Sequence, residues 1–190
     1  MNLRARRRAE TRQSIQRQAI RLFVDRGYDA TTVNDVALAA RVSAMTVYRH
    51  FATKEDLVLY DEFDQLAAET IAERPVDEAL VVRIGRTLAA TYDQAIADKE
   101  FHLARLRLMI STPALRARHL DSQYSTQEAL VSALCAGSDD PALEFQARAA
   151  ASACLGVVHI ALLRWAEEDG SSDLRRLFEE AFTATFGQNL

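Results

Sequence analysis

The stretch TVNDVALAARVSAMTVYRHF, residues 32–51, has the pattern of two short helices joined by a tight turn. Ala37 is small where the two helices would cross, Val42 would fill the corner, and Val47 would face inward from the second helix. That spacing is typical of a helix-turn-helix, whose second helix is presented outward to DNA. The stretch therefore predicts a DNA-binding head.

The residues at the helix ends agree with this pattern. Thr32 and Asp35 make the hydroxyl-then-carboxylate pair of a capping box at the first helix, about 33–40, and Ser43 is placed to cap the second. Arg41 stands where such a turn usually has Gly. A non-Gly residue in the left-handed conformation costs about 1 kcal/mol, so we expect a strained turn within the same fold.

The net charge of −4 is unevenly distributed along the chain. Residues 1–60 hold 11 Lys and Arg against 6 Asp and Glu, a net charge of +5, whereas the remaining 130 residues hold 12 against 21, a net charge of −9. A basic head on an acidic body predicts that only the head meets a polyanion such as DNA. Charge alone leaves open the alternative of chance variation between solvated faces.

The composition gives little support to other kinds of site. Cys135 and Cys154 have no CxxC spacing and no matching histidine cluster, so we expect no metal and interpret them as small core residues in a reducing cytosol. The N-terminus is basic but lacks the apolar run of a signal peptide. The longest apolar run, residues 149–163, is short for a bilayer and predicts a buried helix. These features indicate a cytoplasmic protein.

The fold predicted from periodicity is all-α, with about nine helices, because Pro and Gly are few and alternating runs are rare. Residues 1–52 are expected to form a three-helix head with an irregular Arg-rich arm, from which Arg6 and Arg7 reach DNA. Residues 53–190 are expected to form a helical effector-binding and dimerisation domain. Its first helix is expected to run unbroken over about 53–74, as a rigid lever. Five more helices are predicted over about 76–97, 100–111, 114–136, 141–168 and 172–186.

The eighth and ninth predicted helices, the last two, carry more apolar surface than one subunit needs. The eighth is apolar nearly all round, and the ninth has a regular apolar stripe, so a monomer would expose a large apolar patch. We expect a two-fold homodimer in which these helices form a four-helix bundle, although both could instead be used within one subunit. The predicted interface residues are Ala149, Ala153, Gly156, Val157, Ile160, Leu177, Phe178 and Phe182.

The run from Thr11 through Leu59 resembles the N-terminal domain of TetR-type transcriptional regulators. The resemblance lies in GYDATTV, the A-A-x-V-S turn, T-x-Y-x-H-F and the following K-E-D-L. It implies that Thr46, Tyr48, His50 and Lys54 lie at the DNA backbone, with Tyr48 also near base edges. The alternatives are that Tyr48 mainly packs and that Lys54 is only a solvated charge.

Side-chain chemistry suggests further contacts at the same surface. Arg49 is the long bidentate donor of the second helix and suits a guanine, whereas Ala44 and Met45 suit thymine methyls. Two such helices in a dimer, about 34–36 Å apart or somewhat more, would bind a near-palindromic operator. The predicted DNA-binding residues are Arg6, Arg7, Thr32, Ser43, Ala44, Met45, Thr46, Tyr48, Arg49, His50 and Lys54.

The remainder of the chain is expected to bind a small effector within helices four to seven. The segments FHLARLRLMISTPALRARHL and ALLRWAEEDGSSDLRRLFEEAF resemble the C-terminal domain of mycofactocin-regulator-like TetR proteins, which implies a small hydrophobic or acyl-CoA-like effector. No cofactor is expected. For each predicted wall residue, plain core packing is the alternative. The predicted ligand-binding residues are Phe63, Leu66, Tyr92, His102, Arg105, Leu106, Met109 and Tyr124.

The function predicted is that of a ligand-responsive transcriptional repressor. An all-helical enzyme is the alternative from another class, but it would need a converging acid, base or nucleophile set. His102, His119 and His159 are far apart in sequence, and no G-x-S-x-G, H-E-x-x-H or Gly-rich phosphate loop is present. A helical protein-interaction module is the second alternative, which the basic head disfavours.

Overall fold

The computed structural model describes residues 3–60, 63–95 and 98–190. No strand occurs in these ranges, and the all-α fold is confirmed. Positions 1–2 of the predicted arm, 61–62 of the fourth predicted helix and 96–97 of the fifth lie outside the described residues. The described helices are α1 Leu3–Arg26, α2 Val33–Ala39, α3 Ala44–His50, the single turn α4 Asp56–Leu59, α5 Phe63–Ala72, α6 Leu80–Ala95, α7 Lys99–Ser111, α8 Pro113–Leu134, α9 Pro141–Glu167 and α10 Leu174–Phe186.

The chain divides into two compact units. The first comprises residues 1–60 and 100–119, and so contains α1 to α4, most of α7 and the start of α8. The second comprises residues 61–99 and 120–190, with α5, α6, the rest of α8, α9 and α10. The functional division between residues 52 and 53 stays a prediction.

The first unit is built around one apolar face of α1. Ile15 and Phe23 from this face are at most 1% exposed, and they share a core with Val36 of α2, Val47 of α3 and Phe51. Each such side chain contributes about 1.5–3 kcal/mol when it leaves water. The first helix and the helix-turn-helix therefore share one core, as expected of a three-helix head.

The Arg-rich arm is helical from Leu3, so the prediction that it lacks regular structure is wrong. Two i, i+4 contacts continue the helix outward. Arg6 Nε lies 2.9 Å from Glu10 Oε1, and the Thr11 hydroxyl donates to the Arg7 carbonyl at 2.9 Å. An arm without apolar periodicity can extend a helix that is already nucleated and anchored in a core, and Arg is a good helix former.

The predicted lever helix is interrupted, and its description as a single rigid rod is wrong. Thr53 and Asp56 cap its start: the Thr53 main-chain N lies 2.9 Å from Asp56 Oδ2, and the Asp56 main-chain N lies 3.2 Å from the Thr53 hydroxyl. α4 nevertheless ends at Leu59, because Tyr60 is extended, with φ −63° and ψ 128°. Gln16 Nε2 donates to the Tyr60 carbonyl at 2.7 Å, so this oxygen is satisfied without a continuing helix.

The second unit has α9 and α10 packed on each other and on α6. Helix α9 has nine buried residues, and Cys154, one of the two free cysteines, is among them. α9 is long and apolar enough to cross a bilayer by composition, but 56% of that window is buried inside the protein. This burial is that of a core helix, which is the interpretation made from the sequence.

Two residues assigned to the dimer interface belong to this core instead. Phe178 and Phe182 of α10 are 1% and 0% exposed within one subunit, so their assignment to the interface is wrong. Phe178 lies 5.4 Å from Tyr92 between ring centroids. Phe182 packs where Gly85 of α6 has no side chain, and a Cβ there would overlap its ring. The stripe on α10 therefore faces α6.

Candidate DNA interface

The turn between α2 and α3 fixes the direction of the second helix. Arg41 has φ 57°, so the left-handed residue predicted from the sequence is confirmed. The main-chain N of Val42 donates to Ala37 O at 3.0 Å, and that of Arg41 donates to Leu38 O at 3.1 Å. These two hydrogen bonds make a Schellman motif, which satisfies the last carbonyls of α2.

Side-chain caps hold the start of both helices. At α2, the Thr32 main-chain N lies 2.8 Å from Asp35 Oδ2, and the Asp35 main-chain N lies 3.2 Å from the Thr32 hydroxyl, as the capping box predicts. These bonds from Thr32 lower the pKa of Asp35. At α3, the Thr46 main-chain N donates to Ser43 Oγ at 3.1 Å. Each cap stabilises its helix by about 0.5–2 kcal/mol.

One face of α3 carries exposed side chains of mixed chemistry. Met45 is 69% exposed and Tyr48 is 52% exposed, and Arg49 is exposed beside them. Val47 points the opposite way into the core. A seven-residue helix with a buried anchor and an exposed face with a cation, a phenol and an apolar group suits contact with phosphates and base edges.

His50 lies at the C-terminal end of α3 among arginines. Burial lowers its pKa, and the positive charges of Arg8, Arg12 and Arg49 lower it further. Arg8 and Arg12 were missed in the sequence, which indicated Arg6 and Arg7 instead. The signal that points to them is their i, i+4 spacing on a continuous α1. Together they add positive charge beside the predicted DNA-binding helix.

Lys54 has contacts inside the protein. Its Nζ donates to the Tyr28 carbonyl at 2.6 Å and lies 4.2 Å from the centre of the Tyr28 ring. An ammonium has three donors, so two remain for a phosphate oxygen. The structure therefore gives Lys54 a packing role, and its contact with DNA remains a prediction.

The predicted ligand residues divide between the two units. Phe63 and Tyr92 lie 4.4 Å apart between ring centroids, with their rings tilted by 49°, in the second unit, where Leu66 also lies. Tyr124 is 67% exposed, so its placement in a cavity wall is wrong. His102, Arg105, Leu106 and Met109 belong to the first unit, on α7.

Arg105 binds main-chain oxygens rather than presenting a free cation. Its Nε donates to Val58 O at 2.8 Å, and its Nη2 lies 3.4 Å from both Leu59 O and Tyr60 O. These are the carbonyls at the end of α4, which a helix leaves without intrahelical partners. Arg105 therefore ties α7 to α4, and its contact with a ligand remains a prediction.

Comparison with known proteins agrees with this geometry. The family model described as bacterial regulatory proteins, tetR family, matches residues 15–60, and the model for the MftR C-terminal domain matches residues 78–186, more than half of the chain. The chain belongs to the TetR family. Both resemblances seen in the sequence are thereby confirmed. This TetR-family protein is a transcriptional regulator and not an enzyme.

Individual relatives support the same placement. TcmR, an HTH-type transcriptional regulator of Streptomyces glaucescens, is 33% identical over 126 residues, which span 62% of this chain but only 56% of TcmR. The putative mycofactocin biosynthesis transcriptional regulator MftR of Mycobacterium tuberculosis is 26% identical over 88% of this chain and 85% of its own length. TetR-family regulators are soluble proteins that usually form dimers and bind both DNA operators and small-molecule effectors.

Solved structures confirm the fold of this TetR-family protein. A putative TetR-family regulator from Syntrophomonas wolfei has a TM-score of 0.64 and 20% identity, with 93% of each chain covered. NalD, the secondary repressor of the MexAB-OprM multidrug efflux pump in Pseudomonas aeruginosa, has a TM-score of 0.58 and 21% identity, with 96% of each chain covered. At this identity the likeness concerns the fold alone.

Proposed function

We propose that this chain is a cytoplasmic, ligand-responsive repressor that binds a near-palindromic operator as a homodimer. The observation that carries the proposal is α3, a capped helix anchored by Val47 with Met45, Tyr48 and Arg49 outward. Its small size and polar face suit the major groove. Arg8, Arg12 and Arg49 supply positive charge around it, as phosphate binding requires.

The dimer surface proposed is one strip of α9. Ala149, Ala153, Gly156 and Ile160 follow at i, i+4, i+7 and i+11, and all four are exposed, Ile160 to 59%. These positions share one face of a helix, and small residues allow a partner helix to approach closely. An exposed apolar strip on a helix of this length marks an interface.

A groove between α9 and α10 extends the same surface. Its volume is about 740 Å³, and Ile160, Leu177 and Ala181 give it an apolar floor. Ion pairs line its rim, among them Arg176 Nε to Glu180 Oε1 at 2.8 Å. An apolar centre with a charged rim is the usual anatomy of a protein interface. Leu177, which lines this groove, and Val157, which is partly exposed on α9, stay in the proposed interface.

The effector signal is proposed to reach the head through α7 rather than through one rigid helix. Arg105 of α7 donates to the last carbonyls of α4, so a shift of α7 would move the end of α4 with it. A ten- to hundredfold release of operator needs a coupling free energy of only about 1.4–2.8 kcal/mol. A small hydrophobic or acyl-CoA-like effector is proposed from the MftR-type C-terminal domain.

The experiment that tests the proposal is selection of bound sequences from random double-stranded DNA by the full chain. A near-palindrome with half-sites about one turn apart, or somewhat more, is expected. Gel shifts on the selected site, repeated with a series of acyl-CoAs, then test the effector. Enrichment of single half-sites without symmetry would contradict binding as a dimer, and no enrichment would contradict sequence-specific binding.

Substitution of Tyr48 identifies the helix that contacts DNA. Tyr48→Ala should weaken operator binding by at least tenfold while leaving the fold intact, because this side chain is 52% exposed. The double substitution with Lys54→Ala should abolish binding but must be checked for folding, since Lys54 also packs on Tyr28. Leu38→Ala on α2, at a residue 81% exposed, is the matched control. Operator binding unchanged in Tyr48→Ala would mean that another helix meets the DNA.

A further inference from the structure

The corner where α5 meets α6 contains a guanidinium with few partners. Arg83 of α6 is only 8% exposed. Its Nη2 donates to the Ile71 carbonyl at 2.9 Å, in the last turn of α5. Its Nε is buried and has no hydrogen-bond partner among the described residues. A buried arginine is normally paired with a carboxylate, because an unpaired charge removed from water is unfavourable.

The neighbouring side chains do not neutralise this charge. Arg74 has its main-chain N 3.3 Å from the same Ile71 carbonyl, and its guanidinium binds both oxygens of Glu78 at 2.5 and 2.8 Å. Arg86 Nη1 binds Glu78 at 2.8 Å as well. These hydrogen bonds, the one from Arg74 foremost, lower the pKa of Glu78. Glu78 is therefore already shared by two arginines, and no ion pair among the described residues joins it to Arg83.

Other groups near this corner do not neutralise the remaining positive charge of Arg83. Glu73 and Asp77 are exposed, and no ion pair joins either of them to the three arginines in the described ranges. The hydroxyl of Thr87, one turn along α6, donates to the Arg83 carbonyl at 2.8 Å and so does not accept from the guanidinium in that bond. The side chains next to Arg83 in the core, Ile71 and Ile84, are fully buried and apolar.

We propose that Arg83 is the anchor of an anion-binding site, for the carboxylate or phosphate head group of a small amphiphilic ligand. The proposal rests on the effector response proposed above and names the chemical class of the effector. The planar guanidinium offers adjacent N–H groups that fit a carboxylate or phosphate in a bidentate manner, and the apolar surroundings favour a hydrocarbon body. Arg74 and Arg86 add favourable charge at the rim.

The alternative role for Arg83 is purely structural, as a cap on the last carbonyls of α5. That role uses one of the five donors of a guanidinium and leaves the buried Nε unsatisfied. The two roles differ in what happens when the charge is removed. If Arg83 is needed as a cap, its replacement by an apolar residue should destabilise the unliganded protein. If Arg83 serves to bind an anion, the same replacement should not destabilise it, because it removes an unpaired buried charge.

The test is a thermal-shift titration of the full chain with sodium dodecanoate, dodecyl phosphate and dodecanol, each below the concentration at which it forms micelles. At least one anion is expected to raise the melting temperature, and dodecanol to raise it less at equal concentration. Arg83→Met should leave the melting temperature of the unliganded protein unchanged or higher and weaken anion binding about ten- to hundredfold. Arg83→Lys, which keeps the positive charge but not the planar guanidinium, should bind the anion with an affinity between those of the wild type and Arg83→Met. Arg86→Met, at the exposed rim, is the matched control and should have the smaller effect.

Three results would overturn the site. These are no stabilisation by either anion, equal binding of dodecanol, and anion binding unchanged in both Arg83→Met and Arg83→Lys. Gel shifts on the operator separate this failure from that of the repressor proposal. If the anion binds in a manner that depends on Arg83 but operator affinity is unchanged, the effector response is contradicted and the anion site at Arg83 is supported. Release of operator by the anion that is equal in wild type and Arg83→Met would keep the effector response and contradict the site.

Discussion

At the scale of single residues, backbone strain is concentrated at Arg41. The Schellman turn needs a left-handed residue there, and Arg41 adopts φ 57° with a Cβ that this conformation disfavours. The strain was predictable, because only the turn pattern and the absence of Gly were needed to find it. The contacts of Arg105 and the burial of Arg83 were not predictable, since both depend on which helices meet.

Replacement of Arg41 by Gly should stabilise the protein. The left-handed strain is relieved, while the unfolded chain becomes more flexible, so we expect a net gain of about 0.5–1 kcal/mol in the free energy of unfolding. Urea denaturation monitored by circular dichroism measures it. Gly27→Ala is the matched opposite: Gly27 has φ 91° and open space where a Cβ would stand, so strain alone should destabilise by about 1 kcal/mol. A destabilised Arg41→Gly variant would show that the arginine side chain contributes more than its backbone costs.

Stability should fall in mildly acidic solution because of two histidines. Burial lowers the pKa of His50 and of His159 below the ordinary 6.5. Above pH 6.5 their contribution to stability is fully present. As the pH falls through 6.5 toward the lowered folded-state values, the unfolded chain takes up protons that the folded chain does not, so the free energy of unfolding decreases.

The measurement is the midpoint of urea unfolding at pH values between 5 and 8. His159→Gln does not titrate and should flatten part of the slope, and His50→Gln another part. A double variant that keeps the full slope would assign the pH dependence to other groups.

At the scale of helices, the sequence predicted which helices exist and where they begin and end better than it predicted whether a helix is continuous. The caps of α2 and α3 and the start of α9 at residue 141 rest on local chemistry, and all are confirmed. The break between α4 and α5 was missed, because Asp56 to Arg74 has no Gly or Pro. Tyr60 leaves the helix for tertiary contacts with Gln16, Arg12 and Arg105, which local propensity does not reveal.

The tie between α7 and α4 should be worth a measurable part of the stability. Arg105→Leu leaves the carbonyls of Val58 and Leu59 without this donor, so we expect a loss of about 1–3 kcal/mol in the free energy of unfolding. Arg116→Leu, at an exposed position of α8 in the same unit, is the control and should change it by about 0.5 kcal/mol or less. Equal effects of the two substitutions would remove Arg105 as a specific link. Weaker operator binding by a folded Arg105→Leu variant would support its proposed place in the signal.

At the scale of the whole molecule, the choice between core and interface decided which sequence predictions survived. Both α9 and α10 carry apolar stripes, and periodicity cannot tell which stripe faces its own subunit. The stripe on α10 is buried at Phe178 and Phe182, whereas the strip of small residues on α9 is exposed. One of the two predicted interface helices therefore contributes less apolar surface than expected, and the proposed dimer depends chiefly on α9.

Two glycines separate the effects of folding and association. A Cβ on Gly156 meets nothing within 4 Å in the subunit, whereas one on Gly85 would overlap Phe182. Gly156→Arg should therefore leave the subunit folded but shift it to monomer at micromolar concentration, since a bulky charge would lie in an apolar helix contact. Gly85→Ala should lower the melting temperature because it strains the core, and it changes no residue of the proposed interface.

Sedimentation velocity of the two variants, with circular dichroism for their fold, distinguishes these effects. Operator affinity should fall with dimerisation in Gly156→Arg, because two joined heads bind a two-fold site with a high effective concentration and a single head does not. A dimer retained in folded Gly156→Arg would place the interface elsewhere than on this strip. A wild-type chain that is monomeric at micromolar concentration would contradict the dimer itself, and binding of a palindrome would then have to arise from association on the DNA.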